Sequence, residues 1–385
     1  MRRTAVRSSV FAIVLLAAAV AAGCGNKNRA AGKAAERLDR RGDEIVVAGQ
    51  LYHIGAPVVL WTDPGGFDAY RTERRFVPWE RASYDDTVRE YRETKPDPRA
   101  WVNQPNRYGV RFLPSTQPTT RTDARPGSRL TPEQFEQVRG GGWPLELLQE
   151  KVDQFVLHYD VAGTARSCFN TLHDHRGLSV QFMLDLDGTI YQSLDVKEAC
   201  WHATRSNSRS VGIEIANIGA YPPGEPQKTL DKWYTTDEQG RPRMVMTEAR
   251  QRAVKTPGFV PRPAREQRVV GTVQNATYEQ YDLTPQQYDS LIKLTAALCT
   301  VLPKIQPDYP RGPDGKLITH VLNDEQWASF GGVLGHYHVQ RNKQDPGPAL
   351  QWDKVINGAR KRMGLKPLPP GDGINSGAKE SVAAK

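Results

Sequence analysis

The 385-residue sequence predicts an α/β fold, and three segments carry this prediction. Residues 155–158, FVLH, form a short apolar run ending in a polar side chain, which is typical of a buried strand whose carboxyl end meets a ligand. Residues 211–216, VGIEIA, alternate in side-chain character and indicate a second strand. From Thr284 the chain shows an N-cap, a proline at the first helical position and a leucine stripe, so a core-facing helix is predicted.

The N-terminus has the pattern of a signal peptide. Three arginines precede an apolar stretch at 10–23, which is too short to span a bilayer. The stretch ends in AAGC at 21–24, which resembles the lipobox of bacterial lipoproteins, in which the cysteine becomes the first mature residue and carries lipid. We therefore predict that residues 1–23 are a lipoprotein signal peptide and that Cys24 is lipidated, with cleavage at an ordinary A-x-A site as the alternative.

This interpretation places the protein in the cell envelope. Acyl chains contribute ~0.8 kcal/mol per buried methylene, so a multiply acylated Cys24 would anchor the chain without a transmembrane helix. Gly25 follows in place of the aspartate that retains proteobacterial lipoproteins in the inner membrane, so an outer membrane, facing the periplasm, is expected where the cell has one. Residues 24–43 are small, charged and aperiodic, and are predicted to be a tether.

Residues 44–149 are predicted to be an N-terminal extension to which the sequence assigns no role. Strands are expected at 45–47 and 58–61, the second closed by turn residues. Residues 68–130 show little periodicity, and Thr131 is expected to cap a short helix.

Two further segments lie among the core elements. Residues 178–191 indicate a β-hairpin that turns at Asp187-Gly188 through a type I′ turn. Residues from about 221 to 280 are rich in proline and arginine and are interpreted as an insertion over the sheet. Because this insertion follows the strand of Glu214, its arginines are expected to form one wall of the cleft, with a solvated surface loop as the alternative. Residues 366–385 are predicted to be a flexible tail.

Composition limits the partners. The 52 Lys+Arg and 43 Asp+Glu give a net charge of +9 that is spread along the chain, which suits an anionic polymer or membrane and does not point to nucleic acid. Cys168, Cys200 and Cys299 follow Cys24, and their odd number predicts no disulfide framework. A monomer is expected.

Residues with metal-binding chemistry occur late in the chain. The segment GHYH at 335–338 is followed closely by Asp345. Together with the strand-end His158, one of these two histidines and Asp345 could supply the three protein ligands of a catalytic zinc site, which keeps a fourth position for water. Spacing alone leaves His336 and His338 open, and an ordinary hydrogen-bonded histidine is the alternative for each.

Around these residues the chain resembles the zinc-dependent N-acetylmuramoyl-L-alanine amidases of the amidase-2 type, which share the fold of the peptidoglycan recognition proteins. The resemblance covers roughly residues 150–360 and implies a central mixed β-sheet flanked by helices, with the N-terminal extension and the inserted loop region outside it. A zinc amidase domain is therefore expected at 150–365. The motifs that carry the resemblance are FVLHY at 155–159, LSVQFMLDLDGTIYQ at 178–192, ACWHA at 199–203, SVGIEI at 210–215 and GHYHVQRNKQDPGP at 335–348.

The resemblance implies a role for each matched residue. Glu214 and Lys343 correspond to a catalytic glutamate and lysine, and Gln181, where many relatives carry histidine or another residue, receives no catalytic role. Of His336 and His338, the resemblance assigns the role of metal ligand to His336. The implied zinc ligands are His158, His336 and Asp345, and the implied substrate-binding residues are Trp201, His202 and Asn207. For His202, a buried hydrogen-bonded histidine is the alternative.

The implied activity is hydrolysis of the amide between N-acetylmuramic acid and L-alanine of the stem peptide, in cell-wall turnover or remodelling. Zinc would activate water and the carbonyl, Glu214 would transfer a proton, and Lys343 would meet the oxyanion. The expected partners are peptidoglycan or muropeptides, and a membrane through the lipid anchor; the sequence leaves open whether the substrate is intact wall or recycled anhydro-muropeptide. The alternatives are a non-catalytic peptidoglycan-binding protein and an envelope-tethering lipoprotein.

Overall fold

The computed structural model describes residues 39–70, 108–109, 131–138, 143–176 and 178–371. The chain divides into two units, Met1–Arg41 and Gly42–Lys385, and all the elements named below belong to the second. The predicted signal peptide, Cys24 and most of the predicted tether lie outside the described residues. Among the residues that are described, no helix has both the length and the apolar character needed to cross a membrane.

A six-stranded mixed sheet forms the centre of the fold. The strands Phe182–Leu184 and Ile190–Gln192 are antiparallel, and every other pair of neighbours in this sheet is parallel. The predicted mixed sheet and the strands expected near 58, 155 and 211 are thereby confirmed. In spatial order the strands are β14 (Gly332–Gly335), β5 (Gln154–Tyr159), β9 (Ser210–Ile215), β6 (Phe182–Leu184), β7 (Ile190–Gln192) and β3 (Val58–Leu60).

Antiparallel pairs of strands surround this sheet in the described part of the chain. The pairs are β1 (Glu44–Val47) with β2 (Gln50–His53), β4 (Tyr108–Gly109) with β8 (Ala199–Cys200), β10 (Tyr234–Thr236) with β11 (Pro242–Met244), and β12 (Val269–Val273) with β13 (Ala276–Gln280). β1 is the strand predicted at 45–47.

The helices pack on both faces of the central sheet. The longest begins where predicted: the Thr284 hydroxyl accepts from the Gln287 N–H at 3.1 Å and the Gln287 carboxamide oxygen accepts from the Thr284 N–H at 2.9 Å. The α-helices are α1 (Pro132–Val138), α2 (Leu145–Lys151), α3 (Ala165–Phe169), α4 (Thr229–Trp233), α5 (Glu248–Ala253), α6 (Pro285–Val301), α7 (Asp324–Ser329), α8 (His336–Val339) and α9 (Trp352–Arg362), with a π-helical turn at Asn170–His175 and a 3-10 turn at Thr204–Ser206.

The two faces of the sheet pack against different hydrophobic clusters. The alternation of β5 side chains between these clusters shows on which face His158 lies. Phe155 and Leu157 of β5 share a cluster with the buried leucines of α6 and with Val355 of α9. Val156, between them, belongs to a different cluster with Trp327. Because side chains alternate along a strand, His158 projects to the same face as Val156, away from α6.

The hairpin between β6 and β7 differs from the prediction. A type I′ turn requires positive φ at both central residues. Among residues 185–189 only Gly188 has a positive φ, 83°, and its N–H donates to the Asp185 carbonyl at 3.0 Å. Leu184 and Ile190 are the last paired residues, so five residues form the loop and the type I′ prediction is wrong.

Residues 221–280 are more regular than their sequence indicates, since they contain α4, α5 and the hairpins β10–β11 and β12–β13. Many of their arginines are already in ion pairs, which reduces the positive charge that they offer a substrate. The pairs are Arg241 and Arg262 with Asp237, Arg252 with Glu248, Arg265 with Asp282, and Arg268 with Asp231 and Glu279.

The cysteines at 168, 200 and 299 are all buried within the described part of the chain. Burial raises the pKa of Cys299 to about 12 and that of Cys168 well above its usual value. Thiols in this state are poor nucleophiles and serve as packing groups.

Candidate active site

Three neighbouring parallel strands end at one edge of the sheet, and each brings a polar side chain there. His158 on β5 lies directly opposite Glu214 on β9. Gly335, the last residue of β14, pairs with Leu157, so His336 follows at the same edge. Ligands of open α/β sheets bind beyond the carboxyl ends of such strands.

The loop after α8 returns Asp345 to this edge. The carboxylate oxygen Oδ2 of Asp345 lies 2.8 Å from Nδ1 of His158 and 3.0 Å from Nδ1 of His336. These three side chains therefore offer donor atoms that all lie within 4.8 Å of one another. The structure thus brings together the three predicted metal ligands.

The outer hydrogen bonds of His336 determine its tautomer. The Gln340 carboxamide donates through Nε2 to Oδ1 of Asn342 at 2.9 Å, which directs its oxygen Oε1 to Nε2 of His336 at 3.2 Å. A carboxamide oxygen only accepts, so Nε2 of His336 carries the proton. In the neutral ring, Nδ1 then turns a lone pair toward Asp345.

A second chain of hydrogen bonds orients His158. Its Nε2 lies 2.9 Å from Nδ1 of His202, and Nε2 of His202 lies 3.2 Å from the Ser210 hydroxyl. Burial and the neighbouring His336 lower the pKa of His158 to about 4, so the ring is neutral at neutral pH. When Nε2 of His158 donates to His202, its Nδ1 also presents a lone pair to Asp345.

Asp345 is the anion of this cluster. Burial raises its pKa, while a proton that Nδ1 of His336 or His158 directs at the carboxylate lowers that pKa below the usual range, so the carboxyl group is ionised. Two imidazole lone pairs facing one carboxylate oxygen repel it unless a cation or a proton lies between them. The donor set therefore fits a metal cation, and two histidines with one carboxylate are a common ligand set of catalytic zinc.

Glu214 has an environment suited to proton transfer. It is only 9% exposed, and its oxygen Oε2 is buried without a hydrogen-bond partner in the described part of the chain. Burial, followed by the charges of Asp345 and Asp160, raises its pKa well above the usual value. A carboxyl group with a raised pKa can both take and return a proton near neutral pH.

The sequence around Glu214 explains its setting. The His202 ring lies against Gly212, where a Cβ would be 2.7 Å from ring atoms. Only glycine at 212 lets this histidine lie flat beside β9 and reach both His158 and Ser210. The GIE segment therefore positions both the carboxylate and the histidine network.

These residues line one cavity of about 550 Å³. His158, Glu214, His336, Lys343 and Asp345 all contribute to its wall. The lining also contains Tyr159, Asp160, Val161, Ala162, Cys168, Thr171, Leu172, Arg176, Leu178, Trp201, His202, Asn342 and Gln344.

Of the three predicted substrate-binding residues, two line the cavity and one does not. Trp201 and His202 line the cavity. Asn207 is absent from the lining, and its carboxamide oxygen accepts from the backbone N–H groups of His202 at 3.1 Å and Ala203 at 2.7 Å. Asn207 therefore shapes the turn that presents the Trp-His pair.

Other residues of the site were missed by the sequence analysis. Arg176, at the end of the π-helical turn, lines the cavity, while Ser210 and Gln340 orient the histidines. Ser210 and Gln340 lie within the matched motifs at 210–215 and 335–348, which gave them no role of their own, and no pattern marks Arg176. No residue of 221–280 lines the cavity, so the expectation that the insertion walls this cleft is wrong.

Comparisons with known proteins bear on identity. Residues 148–348 match the Amidase_2 family model, described as N-acetylmuramoyl-L-alanine amidase. Comparison with curated proteins gave no match.

Several solved structures share similarity with the chain. AmpDh3 of Pseudomonas aeruginosa, in complex with anhydromuramic pentapeptide, is 17% identical over 56% of this chain and 69% of that chain, with a TM-score of 0.30. AmiD of E. coli, in complex with anhydro-N-acetylmuramic acid-L-Ala-D-gamma-Glu-L-Lys, is 17% identical over 59% of this chain and 61% of that chain, with a TM-score of 0.31. The endolysin LysCS of Clostridium intestinale URNW is 16% identical over 57% of this chain and 88% of that chain, with a TM-score of 0.29.

The family model spans more than half of the chain and includes every residue that lines the cavity. The protein therefore belongs to the Amidase_2 family and is an enzyme of the N-acetylmuramoyl-L-alanine amidase class.

Proposed function

We propose that the protein is a zinc-dependent amidase that cleaves the bond between N-acetylmuramic acid and L-alanine of the stem peptide during cell-wall turnover or remodelling. The observation that carries this proposal is the convergence of His158, His336 and Asp345 in the cavity that Glu214 lines, with one Glu214 carboxyl oxygen left without a hydrogen-bond partner among the described residues. The family match supports the class of reaction.

The donor set supports zinc as the metal. The atoms that would hold it are Nδ1 of His158, Nδ1 of His336 and a carboxylate oxygen of Asp345. Zinc bound in this way would polarise the scissile carbonyl and lower the pKa of the attacking water. The outer hydrogen bonds of both histidines leave these nitrogens free to serve as ligands.

The remaining chemistry belongs to two side chains. Glu214 takes a proton from the attacking water as the bond from oxygen to the carbonyl carbon forms, and it delivers the proton to the amide nitrogen as the carbon–nitrogen bond breaks. Lys343 lines the same cavity and donates to the carbonyl oxygen as negative charge develops there.

The wall of the cavity suits an anionic peptide. Arg176 and Lys343 both line it, and within the described ranges neither side chain has an ion-pair partner. Trp201, Leu172 and Leu178 add apolar surface. The solved structures of AmpDh3 and AmiD hold anhydromuramic peptides, which supports testing such a substrate beside intact wall.

The test of this function is release of peptide from defined muropeptides. Residues 25–385 are incubated with an anhydro-muropeptide, with a muropeptide of normal sugar and with purified wall. We expect a free peptide with L-alanine at its N-terminus, no release after chelation, and recovery with zinc. Binding of these ligands without any released peptide would support the non-catalytic alternative.

His202 provides a prediction about metal affinity. Replacing His202 by Phe keeps a ring against Gly212 but removes the acceptor for Nε2 of His158. Loss of such an outer hydrogen bond typically costs about 10- to 100-fold in metal affinity or activity. We expect a loss of this size in zinc affinity, measured by competition with a chromogenic chelator.

The control is Ser210→Ala, which removes the hydroxyl at the far end of this chain of hydrogen bonds and leaves the contact between His158 and His202, so it should have a smaller effect. Equal zinc affinity in the His202→Phe variant and the parent would show that His202 does not support the metal site.

We also propose that Cys24 is acylated and anchors the protein in the outer membrane, where the cell has one, as a monomer facing the periplasm. The support is the short apolar stretch ending in AAGC. Cells fed a fatty-acid analogue should label the parent protein and not Cys24→Ala. Labelling and membrane sedimentation that persist in Cys24→Ala would contradict lipidation at this residue.

A further inference from the structure

The hairpin β12–β13 has a turn that is unusual for its sequence. Val273 pairs with Ala276, so Gln274 and Asn275 alone form the loop. Their φ angles are 51° and 64°, which is the pattern of a type I′ turn. Asparagine is common at positive φ, but glutamine is uncommon there, and such residues often lie at functional sites.

The Gln274 side chain explains why this conformation is kept. Its amide nitrogen Nε2 faces three backbone carbonyls, those of Tyr337 at 2.9 Å, Gln340 at 3.0 Å and Lys343 at 3.3 Å. Its carboxamide oxygen accepts from the N–H of Val321 at 3.2 Å. One side chain therefore contacts the backbone at three positions in α8 and in the loop that leads to Asp345.

The hydrogen bond between Gln274 and Lys343 involves the backbone of Lys343 and leaves its side chain available to the cavity. Its carbonyl points to Gln274, while its side chain lines the cavity. At the base of the same hairpin, Gln280 donates to the carbonyl of Pro346 at 3.1 Å. The hairpin thus contacts the loop on both sides of Lys343 and Asp345, although it does not line the cavity itself.

We infer that Gln274 is a positioning residue, which holds the end of α8 and the loop after it so that Lys343 and Asp345 face the reacting groups. This role rests on the proposed function, but the order of the loop can be measured without activity. Displacing a reacting group by about 1 Å can cost 10²-fold in rate. Loss of the Gln274 contacts should therefore lower turnover more than substrate binding.

Two variants and one control test this inference in the full protein. Gln274→Glu keeps the shape but cannot donate to the carbonyls, and Gln274→Gly removes the side chain at a φ that glycine accepts readily. Asn275→Gly is the control, because Asn275 lies in the same turn and its side chain is exposed. We expect kcat on a small muropeptide to fall by about 10- to 100-fold in both Gln274 variants, with KM nearly unchanged and Asn275→Gly like the parent.

Hydrogen exchange in the metal-free protein supplies a readout independent of catalysis. The N–H of Tyr337, which donates to the Asp345 carbonyl, and that of Lys343, which donates to the Gln340 carbonyl, should exchange faster in the Gln274 variants, while amides of β5 and α6 stay protected. Unchanged kcat, or a loss of protection throughout the domain, would overturn the positioning role. Faster loop exchange in a chain without amidase activity would leave the positioning of the loop supported and remove only the proposed reaction.

Discussion

Glu214→Gln is expected to lower kcat for amide hydrolysis by about 10²- to 10⁴-fold while the fold and bound metal are retained. The Glu214 carboxyl is buried at the wall of the cavity, and one of its oxygens has no hydrogen-bond partner in the described part of the chain. Gln has nearly the same shape but cannot accept a proton from water and return it to nitrogen. Single-turnover rates on a defined muropeptide, with zinc content measured in the same sample, test this expectation.

The control is another buried carboxyl group. Asp185 has one oxygen without a hydrogen-bond partner in the part of the chain that the structure describes, and burial raises its pKa to about 7, but it does not line the cavity. Asp185→Asn should keep nearly full activity, because removal of a buried charge alone should not affect the reaction. Similar losses in Glu214→Gln and Asp185→Asn would indicate that Glu214 acts through the stability of the sheet.

The local part of this site was predictable from the sequence. Apolar runs and alternation predict the strands of His158 and Glu214, and both histidine and glutamate lie at the expected edge. Which strands are neighbours was not predictable in this way. The pairing of β14 with β5 joins residues far apart in sequence, and it depends on the packing of the whole sheet.

Turn chemistry shows the same limit. Asp187-Gly188 is the favoured dipeptide of a type I′ turn, yet pairing stops at Leu184 and leaves a longer loop. Gln274 and Asn275 lack that signature and nevertheless adopt positive φ at both positions. The tertiary contacts of Gln274 with the loop after α8 outweigh its local preference, and no short-range pattern encodes such contacts.

His336→Gln is expected to remove bound zinc and activity, while His338→Gln keeps both. Spacing leaves the two histidines equivalent, but their surroundings differ. Nδ1 of His338 accepts from the Gly335 N–H at 2.9 Å, and its Nε2 lies 2.5 Å from the Ile318 carbonyl. Both ring nitrogens of His338 are therefore occupied by backbone groups, whereas Nδ1 of His336 faces Asp345.

The same substitution at both positions makes the comparison direct. Gln at 338 can still donate and accept, so it can replace the backbone bonds of that histidine, whereas Gln at 336 is a poor zinc ligand. Elemental analysis after dialysis should find about one zinc per chain in the parent and His338→Gln, and almost none in His336→Gln. Circular dichroism of each variant establishes that the domain is folded. Zinc lost from a folded His338→Gln and kept by His336→Gln would place the metal on the other histidine, and full activity of zinc-free protein would show that hydrolysis needs no metal.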